Sequence, residues 1–393
     1  MSGRRLPGAG ETYEILALRD GHWQVAMVMA GEGARPGRAA LAQFEARIRR
    51  LATAQLEIQG TRSVKVVRER LRPDGSLAVS EFLCLDDAGT GTKIIGLAPI
   101  RDGGPRCETP GDLLQRPACQ FIGMLLRGLL DVLGASPLEL LTDEGWARRL
   151  QAHEALLASA VRKVAALQAT GDPNARAQTL ERLLAEHQRN ARAAAAWVPR
   201  LPDLDPGGLD MLLARIRALG TVDHEFLALR AVARHLDDGA APITKIARLL
   251  DLLTPDLSPA ATALVDRFLA GFLDAPSTVE ALVGGEPDLG AALVVTAGLA
   301  TGAAPGTGGA LAARLAEPLA AGQLPDARGA LWDRVAAGLL SHRPLAADGR
   351  AAWSALRRLE QELAPRAPEC RRCRLAAALA ARKLALDRAG GPQ

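Results

Sequence analysis

TYEILALRDGHWQVAMVM, residues 12–29, decides how the first part of this 393-residue chain is read. Its two β-prone runs flank Asp20-Gly21, a dipeptide suited to the left-handed backbone of a two-residue hairpin turn. In the second run Trp23, Val25, Met27 and Met29 alternate, which predicts one shared face. Downstream, AALAQFEARIRRLATAQL (39–56) carries Leu41, Phe44, Ile48 and Leu51 at helical spacing, with Arg47, Arg49 and Arg50 off that stripe. SVKVVRERLRPDGSLAVSEFLCL (63–85) then gives two further strands around Pro73-Asp74-Gly75. The order ββαββ predicts an α+β module over residues 11–86: one antiparallel sheet with one helix on a face.

Residues 87–116 repeat Gly and Pro and read as a linker, with a short strand expected at Lys93–Leu97. All that follows has helical periodicity. A long-helix region is expected over 117–200, and an Ala/Leu-rich multi-helix domain over 201–393. Stripes such as Leu209, Leu212, Leu213, Ile216 and Ile243, Ile246, Leu250, Leu253 mark the shorter helices. Ser136-Pro137 and Ser258-Pro259 have the form of helix starts, a hydroxyl cap followed by proline in the first turn. No fixed repeat period emerges, so the expectation is a predominantly all-α region, an irregular solenoid or a bundle.

Composition narrows the function classes. With 48% apolar and 23% charged residues the chain has the make-up of a globular protein. Aromatic residues are only 3%, so the core must be Leu, Ala and Val, and base-stacking platforms are hard to build. Five of the 48 basic residues are lysine, an arginine bias that weakens any phosphate-binding argument from arginine alone. The first 72 residues carry 13 basic and 7 acidic side chains, which makes Arg47, Arg49 and Arg50 candidates for polyanion binding. No nucleic-acid motif accompanies them. The N-terminus lacks the apolar stretch of a secretory signal, and five scattered cysteines fit a reducing compartment, so a cytoplasmic location is expected. The longest uncharged run, residues 289–313, is broken by Pro305 and several glycines and reads as a buried helix and a turn, with no membrane span.

The motifs with chemical potential are few. Cys370-x-x-Cys373 could serve zinc or thiol redox, with Cys107 and Cys119 as the only other pair to complete a four-thiolate site. No βαβ context precedes the pair, and the bland reading, an accident of composition, is preferred. His153-Glu154 and His224-Glu225 open like a zinc-protease helix, but Leu157 and Ala228 stand where the second histidine belongs. His187 shares a face with Leu180, Leu183 and Leu184 and reads as a core or groove histidine. The glycine clusters at 89–93 and 302–310 lack the phosphate-binding order, and no nucleophile elbow occurs. No catalytic residue and no cofactor is therefore assigned.

YEILALRDGHW (13–23), CETPGDLLQRPA (107–118), LELLTD (138–143) and AVRKVAALQ (160–168) together resemble a group of uncharacterised alphaproteobacterial proteins. That resemblance implies a small β-rich module joined to a helical region over about the first 170 residues, and no activity. The functional expectation is a non-enzymatic interaction or regulatory scaffold that receives a protein partner in an apolar groove of the helical domain. The alternatives are an enzyme with a pocket assembled between helices, or polyanion binding by the basic module.

Overall fold

A computed structural model describes residues 11–19, 22–30, 38–58, 61–71, 77–86, 97–98, 100, 102–142, 154–205, 207–220, 223–236, 240–303, 309–341, 343–363 and 369–388. The expected strand at Lys93–Leu97 lies almost wholly outside them. The chain forms two compact units. One comprises Met1–Gly103, Leu125–Val132 and Arg148–Glu181; the other comprises Gly104–Met124, Leu133–Ala147 and Arg182–Gln393. Neither unit is a contiguous stretch, because segments beyond the sheet return to it.

The first unit has the expected ββαββ order: β1 (Glu11–Arg19), β2 (His22–Ala30), α1 (Arg38–Leu56), β3 (Thr61–Leu71) and β4 (Leu77–Asp86). All pairings are antiparallel and the sheet order is β2-β1-β3-β4. One face is covered by α1. Phe44, Ile48 and Ala52 are buried against Tyr13, Ile15, Ala17, Val64, Val66 and Leu83, and the Tyr13 and Phe44 rings meet edge to face at 5.1 Å. Period-two alternation in β1 and β3 meets the helical stripe of α1, so each element buries its apolar side.

β2 departs from the predicted alternation. Its register with β1 slips between Ile15 and Leu16, leaving Ala26 as an extra residue between Met27, opposite Ile15, and Val25, opposite Leu16. Met27 and Met29 therefore pack on the α1-covered core, while Val25 and Val28 are turned to the other face, 55% and 52% exposed. A bulge adds one residue, and one residue reverses every face beyond it.

The segments that return to this unit include α2 (Arg116–Leu125) at its last residue, α3 (Arg127–Leu133) and α5 (Glu154–Gln168), with α4 (Pro137–Thr142) between them in sequence. α5 packs against β4 and buries Leu156, Ala160, Val161 and Ala165. It is also tied to loop carbonyls: Lys163 Nζ donates to Ala98 O at 3.0 Å and Gln168 Nε2 to Gly103 O at 2.7 Å.

The second unit is all helical. Its elements continue through α6 (Pro173–Ala195), whose residues up to Glu181 belong to the first unit, α7 (Leu209–Arg217), α8 (His224–Leu236), α9 (Pro242–Leu252), α10 (Pro259–Leu273) and α11 (Pro276–Val283). They end with α12 (Leu289–Ala300), α13 (Ala310–Ala320), α14 (Pro325–Leu340), α15 (Gly349–Leu363) and α16 (Glu369–Arg388). A single buried cluster runs from Leu114 to Ala378. At its centre α10 presents Val265, Phe268, Leu269 and Phe272 to α14, which buries Leu331, Trp332, Val335 and Leu339. Small residues let helices approach closely, as the Ala-rich composition predicts. A Cβ on Gly290 of α12 would lie 2.5 Å from Ala355 Cβ of α15, and one on Gly338 of α14 would lie 2.5 Å from Leu293 Cδ2 of α12. The expected cap at Ser258 is present, its Oγ accepting from Ala261 N–H at 3.3 Å ahead of Pro259. No described helix is long and apolar enough to cross a membrane.

Candidate functional site

The second unit holds a cleft between α7, α8 and α10, with a volume of about 230 Å³. Its floor is apolar: Leu213 and Ile216 from α7, Ala228 from α8, and Ala260, Ala263 and Leu264 from α10. The rim is ionic, from Arg217, His224, Glu225 and Arg267. Arg267 is held across the cleft, its Nη1 2.6 Å from Glu225 Oε1 and its Nη2 donating to Leu114 O at 2.8 Å.

Local sequence sets this geometry. Asp223 accepts from Phe226 N–H at 3.0 Å, which caps α8 and fixes where its first turn begins. Asp210, in the first turn of α7, accepts from Ser258 N–H at 2.9 Å and from the Ser258 hydroxyl, so the N-termini of α7 and α10 are joined. The Ser258 hydroxyl, followed by its N–H, holds the Asp210 carboxyl below the usual carboxylate range. The distance between the cleft walls is thus set by polar contacts at one end of both helices.

His224, Glu225 and Ala228 occupy the helical face that a zinc-protease helix would use. Here Ala228 is a buried floor residue and Glu225 is engaged by Arg267. Among the described residues no group of three metal-ligating side chains occurs. Cys107 and Cys119 are buried thiols; burial pushes the Cys119 thiol up to about 12, and its Sγ lies 3.4 Å from Leu113 O. Cys370 and Cys373 stand in the first turns of α16, and their side chains lie outside the described residues. Arg47 and Arg50 are exposed on α1; the Arg49 side chain also lies outside the described residues.

Sequence reasoning missed three buried polar constructions in this unit. Lys245 and Glu139 form a buried ion pair, Nζ to Oε1 2.7 Å. Lys245 Nζ also donates to Gly134 O at 3.0 Å, and Glu139 Oε2 accepts from Ser136 N–H at 2.7 Å. Burial raises the Glu139 pKa, while Lys245 and Ser136 oppose that rise. Arg116 makes a two-pronged contact with Asp274, with Nη2 2.9 Å from Oδ1. Asp266, only 1% exposed, accepts from Asp326 N–H and Ala327 N–H at 2.8 Å each and so caps α14; burial nonetheless raises its pKa to about 6. A signal was present: Lys245 shares spacing with buried Leu249 and Leu252, and Asp266 with buried Leu269 and Leu273. A charge on an apolar stripe implies a buried partner.

His187 is a core histidine. It is 0% exposed, it stands edge to face on Phe226 at 5.4 Å, and Nε2 lies 2.7 Å from Leu141 O. A carbonyl only accepts, so Nε2 carries the hydrogen, and Nδ1 has no partner among the described residues. Burial lowers the imidazole pKa, against the carbonyls of Leu141 and Pro110 and the charge of Asp223.

A scan against protein-family models, a search of curated proteins and a search of solved structures each found no match.

Proposed function

We propose that this chain is a non-enzymatic interaction protein whose helical unit receives a short amphipathic helix of a partner protein in the α7–α8–α10 cleft. The observation that carries this reading is the cleft itself, with its apolar floor and its ion pair at the rim. At about 230 Å³ it is smaller than the roughly 300–1,000 Å³ usual for small-molecule sites. It suits one or two apolar anchors of an inserted helix, with Arg217 beside them to meet an acidic neighbour. Lys245, Glu139, Arg116, Asp274 and Asp266 are engaged in a cap and ion pairs, which supports a structural role for them.

Ala263 is the residue to change, because it lines the cleft yet is exposed. A long charged side chain there blocks the floor without entering the core. Native mass spectra of the protein isolated from its own cells should show a protein-sized added mass that is not a multiple of the chain's own, and Ala263→Arg should lose it. Such foreign mass surviving the substitution would place the partner elsewhere; a small organic increment would favour the enzyme reading.

A further inference from the structure

We propose that the β2 edge of the sheet is a self-association surface: β2 pairs antiparallel with β2 of a second copy of this chain, so that two four-stranded sheets become one.

Among the described residues β2 pairs only with β1, so its outer row of N–H and C=O groups has no strand beside it. Exposed edges are ordinarily guarded by lysine, other charges, proline or a bulge, and of these devices β2 has only the bulge at Ala26. His22–Ala30 contains no Asp, Glu, Lys, Arg or Pro. The other strands all carry charges, β3 most of all with Arg62, Lys65, Arg68, Glu69 and Arg70. β2 also extends apolar surface on both faces. Val25 and Val28 are half exposed on one, and Met27 and Met29 continue the α1-covered core toward the open edge on the other.

The occupant is argued from the strand's own symmetry. In an antiparallel pair directly opposed residues share a face. For a strand meeting its own copy about a dyad, residues that oppose each other must therefore already share a face within one chain. An unbroken strand puts Val25 and Val28 on opposite faces. The extra residue at Ala26 brings them onto the same face, outward, and puts Gln24 and Met29 together on the inner one. A dyad between Ala26 and Met27 then sets Val25 against Val28 of the second copy and Gln24 against Met29, with no charge opposing a like charge. Both α1 helices end on the same side of the joined sheet. A strand from an unrelated protein would gain the backbone hydrogen bonds without this side-chain match.

Sedimentation velocity of the full chain over a concentration series tests the pairing. The wild-type chain should shift from one-chain to two-chain mass as concentration rises. Val28→Lys should weaken that association roughly tenfold or more, since the dyad places the lysine against Val25 twice. Val28 is half exposed, so an unchanged circular dichroism melt of the variant is expected and shows that it folds. Val25→Glu combined with Val28→Lys should restore association, because the new carboxylate faces the new ammonium of the second copy. A wild-type chain at one-chain mass throughout, a dimer that Val28→Lys leaves intact, or a double variant as monomeric as the single one overturns the proposal.

Discussion

Lys245 is a buried cation in the helical unit. Its ammonium, buried with the Glu139 carboxylate, joins α9 to the start of α4. Removing one member of such a pair leaves an uncompensated charge in the core. Lys245→Met should cost about 3 kcal/mol in urea unfolding at neutral pH. The deficit should shrink as pH falls. Glu139, its pKa already raised by burial, then takes up a proton in the folded state before it does in the unfolded one, and stability lost as pH rises through its folded pKa is regained. His187 acts in the opposite sense. Its folded pKa is lowered, so the unfolded chain binds the proton first and stability falls as pH drops below about 6.5. Unfolding free energies measured between neutral and mildly acidic pH should fall less steeply in His187→Phe than in the wild-type chain.

Among the elements, α12 is held by absences of side chain as much as by contacts. Gly290 N–H donates to Leu345 O at 2.7 Å, and its α-carbon leaves room for Ala355 of α15. Gly290→Ala should cost about 1–3 kcal/mol through overpacking, read as a lowered melting temperature, despite alanine's better helix propensity. The two kinds of element differ in how readable they were. The helices were legible because 3.6-residue stripes survive small errors of boundary. β2 was legible as a strand but not in its faces, because nothing in HWQVAMVMA marks Ala26 as the bulged residue. Strand faces depend on a register that only the partner strand decides. The cleft was hidden for a related reason. Its walls come from three helices, joined through an Asp210–Ser258 contact 48 residues apart in sequence. Lys245 and Asp266, by contrast, could have been found as charges on apolar stripes.

At the scale of the molecule, the division into units has a consequence for dissection. A cut before residue 106 looks natural from the Gly/Pro-rich composition around it, yet α5 belongs to the first unit and covers β4. A chain of residues 106–393 should keep a cooperative helical melt from its large core. It should also bind an environment-sensitive apolar dye more strongly than the full chain does, because Leu156, Ala160, Val161 and Ala165 lose the sheet that buries them. Dye binding equal to that of the full chain would mean α5 finds another cover.

Cys119 offers a way to time events inside that large core. Its sulfur is buried, and its pKa of about 12 leaves almost no thiolate at neutral pH, so an alkylating reagent has neither access nor a nucleophile while the helices stay packed. Once α2 separates from its neighbours, both conditions lapse together. In a chain whose other four cysteines are serine, the modification rate in excess reagent should therefore become independent of reagent concentration and equal the rate at which the core opens. A thiol too buried to react in the packed core would then serve as its clock.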